Sequence, residues 1–167
     1  FRSAVIAICL LLSFTARAHA QAAYPIIGEV VCAGSSLSSA DEWLELWNAS
    51  ANTTTLVGYK LRGASSEEIL FGELNEIPPY GVFLIANYAM DDEKTVLDVP
   101  PHMVTTSLSL SNSALKIELV APDGSVIDTA GDGGAPPAGS SLPEKIGMIR
   151  RTDGSWISAT STPGTCD

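Results

Sequence analysis

The chain has 167 residues, of which nineteen are acidic and nine are basic, so its net charge is −10 at pH 7 with neutral histidines. This acidic excess argues against non-specific nucleic-acid binding, which depends on lysine and arginine side chains that neutralise phosphates. The length suits a single domain with its own hydrophobic core.

The first twenty residues have the layout of a secretory signal peptide. Arg2 supplies a short cationic region, residues 4–12 form an apolar run, and residues 18–20 (A-H-A) match the small-residue cleavage pattern. We therefore predict a signal peptide at residues 1–20, cleaved after residue 20. The apolar run is too short to span a bilayer stably, and a retained N-terminal anchor is the alternative.

Removal of this segment makes the remaining domain, residues 21–167, more acidic. The segment carries Arg2 and Arg17 and no acid, so seven basic residues then face nineteen acidic ones, for a net charge of about −12. Such a charge favours solubility outside the cell and leaves room for cation binding. No second apolar segment follows that would anchor the mature C-terminus. We expect a secreted or cell-surface protein without a transmembrane segment after cleavage, and nucleic acid is disfavoured as a partner.

Cysteine usage agrees with export. Cys9 lies in the signal peptide, which leaves Cys32 and Cys166 in the mature chain. An even pair of cysteines in a secreted protein predicts a disulfide, and closing a loop of this length stabilises by roughly 4–5 kcal/mol on the chain-entropy estimate. A lipid anchor on Cys32 is the alternative, disfavoured because Val31 stands where a small residue normally precedes a lipidated cysteine.

Short runs rich in β-branched and aromatic residues recur along the mature chain, separated by clusters of Gly, Pro, Asn, Asp and Ser. No helical period persists for three turns, which predicts strands rather than helices. The predicted strands lie near residues 26–33, 43–48, 59–62, 68–72, 82–87, 115–121, 126–129, 147–151 and 155–159.

Turn signals connect several of these strands. Residues 115–121 alternate apolar and polar side chains, and Pro122 and Gly124 then predict a hairpin turn into the next strand. Asp153 and Gly154 repeat the pattern. Residues 88–98 form either a turn or two of helix or a solvated loop, and residues 131–143 form a flexible connection. Many short strands at this spacing predict an antiparallel β-sandwich or a barrel.

Six sequence blocks, taken in order, resemble the lamin tail domain family in its secreted bacterial form. The blocks are IIGEVV at 26–31, EWLELWN at 42–48, LVGYKL at 56–61, IPPYGVFLIA at 77–86, SLSNSALKIELVAPDGSVID at 109–128 and DGSWISATSTPGT at 153–165. The resemblance implies an all-β fold, an immunoglobulin-like antiparallel β-sandwich. It also implies a binding module of secreted or surface proteins, sometimes found beside nuclease or other hydrolase domains. The cysteine pair is not part of the family pattern.

The stretch EWLELWN raises the question of why two glutamates alternate with two tryptophans. In a strand, Leu44 and Leu46 share one face, while Trp43, Glu45 and Trp47 share the other. We expect the leucines to face the core. The opposite face is then an exposed or edge face, on which Glu45 keeps the surface soluble and discourages edge pairing. Trp43, Glu45 and Trp47 are also the candidate binding surface.

Glu42 stands at the start of the same strand, where we expect it to stay in contact with water. Because strand neighbours three apart point to opposite faces, Glu42 and Glu45 do not flank one bond as a glycosidase pair does. His102 is the one histidine of the mature chain, and it follows two prolines in a predicted loop. No catalytic sequence motif is present. We predict a protein that is not an enzyme.

A cation site is an alternative role for the acids. Glu29 lies on the first predicted strand, and Asp91, Asp92, Glu93 and Asp132 lie in loops. Calcium needs six to eight oxygen ligands, usually from loops, and no calcium-loop spacing is present. We therefore assign no metal residue and no cofactor, with calcium kept as an alternative.

Together these observations predict a secreted, non-catalytic lamin-tail-type module for binding or surface scaffolding, whose partner is an unidentified protein or cell-envelope component. One alternative is a targeting or accessory domain of a larger secreted hydrolase or nuclease, encoded beyond the present sequence. A second alternative is a calcium-dependent adhesion module. Function in such scaffolds is commonly carried by loops.

Overall fold

A computed structural model describes residues 24–142 and 144–165. Within these ranges the chain is all-β, with no helix and twelve strands. The strands are β1 (Ile26–Val31), β2 (Trp43–Trp47), β3 (Thr54–Thr55), β4 (Lys60–Arg62), β5 (Ile69–Leu70), β6 (Glu76–Ile77), β7 (Val82–Ala86), β8 (Met103–Val104), β9 (Ile117–Val120), β10 (Val126–Ala130), β11 (Gly147–Arg150) and β12 (Trp156–Ala159).

The strands form two principal sheets and a small ribbon. The larger sheet has the order β12-β11-β1-β2-β7-β8, and the smaller one has the order β10-β9-β4-β5. Strands β3 and β6 pair with each other. The pairings are antiparallel except that of β7 with β8, which is parallel. This arrangement is consistent with the predicted antiparallel β-sandwich.

The core lies between the two principal sheets. Leu44 and Leu46 of β2 face inward as predicted, and they share one cluster with Leu61 of β4 and Ile117 and Leu119 of β9. All five side chains are fully buried. Burial of a leucine or isoleucine contributes about 1.5–3 kcal/mol, so this layer is a principal source of stability.

An ion pair links the two sheets at one side. Arg150 of β11 lies 2.6 Å from the Asp128 carboxylate of β10, and the same carboxylate accepts a 2.7 Å hydrogen bond from the backbone N–H of Ile27. The Arg150 guanidinium also lies over the Trp156 ring, 5.1 Å from its centroid. Because both charges are largely shielded from water, their geometry fixes how β10 approaches β1.

Both predicted turns are confirmed. Gly124 donates its N–H to the carbonyl of Ala121 at 2.9 Å, and Gly154 donates to the carbonyl of Arg151 at 2.8 Å. Their φ values are 87° and 84°, in the left-handed region that glycine adopts without strain. The 115–121 alternation is also confirmed, with β9 pairing antiparallel to β10.

Three short strands were not predicted. β3, β6 and β8 have two residues each, which is too short for alternation to be visible. Residues 88–98 contain turns and no helix, which decides between the two predicted alternatives. The described part of the 131–143 connection carries one isolated bridge, from Ser140 to Ile146.

The larger sheet is also covered on its second face. One apolar cluster there contains Val31, Trp43, Leu84 and Leu97, with Val99 packed against it. Another contains Trp47, Val82 and Ile149. Leu97 and Val99 belong to the loop between β7 and β8, so this loop covers part of the sheet. The central strands are therefore buried on both sides.

Two predictions, the signal peptide and the disulfide, fall wholly or partly outside the described residues. The signal peptide at residues 1–20 lies in the N-terminal segment that is not described, and Cys166 lies beyond residue 165. Among the residues that are described, no helix has the length and apolar character needed to cross a membrane.

Candidate functional site

The three side chains of the candidate binding surface share one face of β2, as the period of the strand predicts, but that face is not exposed. Trp43 and Trp47 are each 4% exposed, and Glu45 is fully buried. The expectation of an exposed or edge face was wrong. β2 lies centrally, between β1 and β7, and other segments cover its outer side.

Glu45 has a second buried acid directly beside it. Glu29 of β1 is its cross-strand partner in the antiparallel register, and Glu29 is also fully buried. Side chains of directly opposed residues lie about 4.5–5.5 Å apart at Cβ, so the two carboxyl groups occupy one site. A register shift between Ile27 and Glu29 places a bulge next to this pair.

Gly28 makes room for one tryptophan at the bulge. A Cβ added to Gly28 would overlap the indole ring of Trp47. The Trp47 ring thus lies flat against the β1 backbone, a position that only glycine permits. The sequence signal for this contact is the glycine inside IIGEVV, an otherwise apolar strand.

The two acids accept hydrogen bonds from the two indoles. Trp43 Nε1 donates to Glu29 Oε1 at 3.0 Å, and Trp47 Nε1 donates to Glu45 Oε2 at 2.9 Å. A buried indole N–H needs an acceptor, and a carboxylate is a strong one. This answers part of the question that EWLELWN raises: Glu45 is the acceptor for the buried Trp47, whereas the acceptor for Trp43 is Glu29 of the neighbouring strand.

The segment that covers this site follows β12. Residues 160–165, here called the strap, present two backbone donors to the glutamates. Thr162 N–H donates to Glu29 Oε2 at 3.1 Å, and Gly164 N–H donates to Glu45 Oε1 at 2.6 Å. Sequence reasoning missed this role, because the strap is separated from its acceptors by more than 100 residues.

The strap also forms one wall of a cleft of about 940 Å³. The other walls come from the loop after β1, from the β7–β8 loop, and from residues 141–142 and 144–145. Seven lining residues carry hydroxyl groups, and Asp98, Glu144 and Lys145 carry charges. Lys145 Nζ donates to the carbonyl of Ser35 at 2.6 Å, which ties two walls together. Trp43 lies beneath, so the cleft and the buried acids are neighbours.

Glu42 is shielded from solvent, contrary to expectation. It is 8% exposed, and its Oε2 accepts a 2.8 Å hydrogen bond from the backbone N–H of Leu110. Burial raises the pKa of Glu42 to about 7, against the lowering effect of the Leu110 hydrogen bond. Glu42 holds the chain before β9 against the start of β2.

Cys32, the described half of the predicted disulfide, lies in the main core at the end of β1 and is buried. Burial raises the pKa of its thiol, and the charge of Glu42 acts in the same direction. Because Cys166 is outside the described residues, its pairing with Cys32 stays a prediction.

His102 has a packing role. Its Nδ1 accepts a 3.0 Å hydrogen bond from the backbone N–H of Leu84, and its ring stacks on Phe83 with centroids 5.2 Å apart. Burial lowers the pKa of this imidazole. With Nδ1 engaged by the sheet, the ring is held in place as part of the β7–β8 junction.

Two of the loop acids considered as calcium ligands, Asp92 and Asp132, serve turns. Asp92 Oδ1 accepts from the N–H of Lys94, and Asp132 Oδ1 accepts from the N–H of Gly134, each at 2.9 Å. Across residues 24–142 and 144–165, no three His, Cys, Asp or Glu side chains are grouped so that they would hold a metal ion.

No protein-family model matches this sequence, and comparison with curated proteins finds no match either. The resemblance to lamin tail domains therefore rests on the six ordered sequence blocks.

Proposed function

We propose that this chain is an exported, non-catalytic binding module with an immunoglobulin-like sandwich of the lamin tail type. Its working surface is the cleft beside the outer face of the larger sheet. The ligand is a protein or another component of the cell envelope, and the module needs no cofactor. A sandwich core with loop-built walls is a common way to present such a surface.

The observation that carries the proposal is the construction of the cleft. Four segments far apart in sequence converge on it, and its volume of about 940 Å³ lies in the range of ligand sites. Leu142 and Val96 line it and are 82% and 47% exposed, beside the hydroxyl groups. Exposed apolar side chains among hydrogen-bonding groups suit a ligand of mixed character, such as an extended polypeptide.

The proposal leaves out catalysis because the two buried glutamates and the one described histidine are already engaged. Glu29 and Glu45 accept hydrogen bonds from indole and backbone donors, and His102 is held by Leu84. A general base must reach a substrate proton, and these groups are turned toward the protein instead.

A binding experiment with matched variants tests the proposal. The mature protein is immobilised and exposed to fractionated envelope of the producing cell, and Leu142→Arg is compared with Leu74→Arg. Both leucines are exposed, at 82% and 94%, but only Leu142 lines the cleft. We expect Leu142→Arg to lose the bound component and Leu74→Arg to retain it. Equal retention by both variants would place binding elsewhere, and absence of any bound component contradicts the proposal.

Thermal unfolding tests the part of the proposal that says the module needs no cofactor. Thermal melts in calcium and in chelator should have the same midpoint, since a bound ion stabilises the state that binds it. A midpoint that rises with calcium would favour the adhesion alternative.

A further inference from the structure

The strap differs from the rest of the outer sheet face in how it is attached. β12 ends at Ala159, and residues 160–165 belong to no strand. Their side chains are half-buried or exposed, whereas the residues beneath them are buried. A segment with few buried contacts and no ladder opens at a lower free energy than the sheet it covers.

The strap is anchored to both glutamates. The Thr162 and Gly164 N–H groups lie within one turn and donate to Glu29 and Glu45, which stand side by side on neighbouring strands. A turn closes the segment, because Thr165 donates its N–H to the carbonyl of Thr162 at 3.1 Å. The strap therefore engages both glutamates together.

Gly164 adds a conformational requirement. Its φ is 86°, and a Cβ there would lie 3.3 Å from Cγ2 of Val99 in the β7–β8 loop. A residue with a side chain is strained in this conformation. The strap position thus depends on a glycine whose backbone N–H contacts Glu45 and whose Cα faces the β7–β8 loop.

Opening of the strap has a specific consequence for the residues underneath. It removes the Thr162 N–H and hydroxyl donors from Glu29 and the Gly164 N–H donor from Glu45, and it admits water to the carboxyl groups and to the indoles of Trp43 and Trp47. Hydration of the two carboxyl groups offsets part of the lost hydrogen bonding, since water supplies donors in place of those of the strap. The rest of the sheet keeps its ladder.

We propose that residues 160–165 form a strap that opens as one unit between the end of β12 and Cys166, whose predicted bond to Cys32 would tether the strap without closing it. It gates the tryptophan-lined outer face of the larger sheet and sets one wall of the cleft. The device is independent of whether the cleft binds a ligand, and its test uses the protein alone. Failure of the strap proposal and failure of the binding proposal are therefore distinguishable.

Hydrogen exchange followed by NMR on the whole mature protein tests the strap. We expect the Thr162 and Gly164 amides and the Trp43 and Trp47 indole N–H groups to be deprotected through a common local opening. The opening that exposes these four hydrogens should be at least about tenfold more frequent than the opening that exposes the Leu44 amide. Low concentrations of denaturant should leave its frequency unchanged. Exchange of all five hydrogens through one global event overturns the proposal.

Two variants and one control test whether Glu45 and Gly164 hold the strap closed. Glu45→Gln, which leaves one acceptor oxygen for the two donors Trp47 Nε1 and Gly164 N–H, should increase opening at Thr162 and Gly164 by about tenfold. The matched control Glu76→Gln, at an exposed glutamate of β6, should leave it unchanged. Gly164→Ala acts on the strap without altering the buried acids, so it serves if Glu45→Gln does not fold. Unchanged exchange in Gly164→Ala contradicts the proposal.

Discussion

Glu29 and Glu45 lie directly opposite each other on β1 and β2, and both are fully buried. Each accepts one indole N–H and one backbone N–H of the strap. A pair of acids thereby joins the two tryptophans and the C-terminal segment into one hydrogen-bonded unit. Loss of the acids is costly, because the two indole N–H donors left behind are buried.

Removal of the Glu45 carboxyl should destabilise the fold. Glu45→Ala leaves the Trp47 indole N–H and the Gly164 N–H without their acceptor, and we expect the free energy of unfolding to fall by about 3 kcal/mol. Urea denaturation followed by tryptophan fluorescence measures this change. Glu76→Ala, on exposed β6, is the control and should stay within about 0.5 kcal/mol. A similar small effect for Glu45→Ala would show that the buried network contributes little.

A double-mutant cycle of Trp47→Phe with Glu45→Ala separates the contribution of the Trp47–Glu45 hydrogen bond to stability from that of side-chain packing. Phenylalanine keeps an aromatic ring but has no N–H to donate to Glu45. If the 2.9 Å contact matters, the losses from Trp47→Phe and Glu45→Ala should be less than additive by about 1 kcal/mol or more. Additive losses would mean that the two side chains act separately.

Gly28 should be intolerant of a side chain. Gly28→Ala forces the Trp47 ring away from β1, which strains a close-packed face, and we expect a loss of about 2 kcal/mol in urea denaturation. Gly72→Ala is the matched control, since its Cβ would meet nothing closer than the Asn75 side chain at 3.8 Å. Equal stability of the two variants would contradict the packing of Trp47 on the β1 backbone.

Glu42 should make stability fall as pH rises. Its pKa is raised from 4.5 to about 7 in the fold, so the native state favours the protonated form. The stabilisation is fully present below pH 4.5 and is lost as pH rises through about 7. We expect wild type to lose about 1–2 kcal/mol relative to Glu42→Gln between pH 4.5 and 8.

The comparison with Glu42→Gln is needed because His102 changes the pH dependence of stability in the opposite direction to Glu42. Its pKa is lowered by burial, so protonation of the unfolded chain reduces stability below about pH 6.5. Urea denaturation of both proteins at several pH values cancels this common contribution. A difference between them that does not change with pH would contradict the buried state of Glu42.

The disulfide prediction is tested by intact mass. Alkylation of the denatured mature protein without reduction should add no label if Cys32 and Cys166 are bonded. Reduction before alkylation is the control and should add two labels. Two labels without reduction would show that both thiols are free.

The sequence by itself determined the class of structure. Period-2 alternation in residues 115–121 and in EWLELWN identified strands and assigned Leu44 and Leu46 to the core, and Gly124 and Gly154 marked turns. These features are local, because the geometry of a strand or a turn follows from a few adjacent residues.

The tertiary structure decided what lies over the second face of β2. Alternation separates Trp43, Glu45 and Trp47 from the leucines, but it does not reveal whether water or protein covers them. The cover comes from the β7–β8 loop and from residues 160–165, which have no period of their own. Burial of Glu45 depends on contacts between segments more than 100 residues apart, and these exist only once the sheets have assembled.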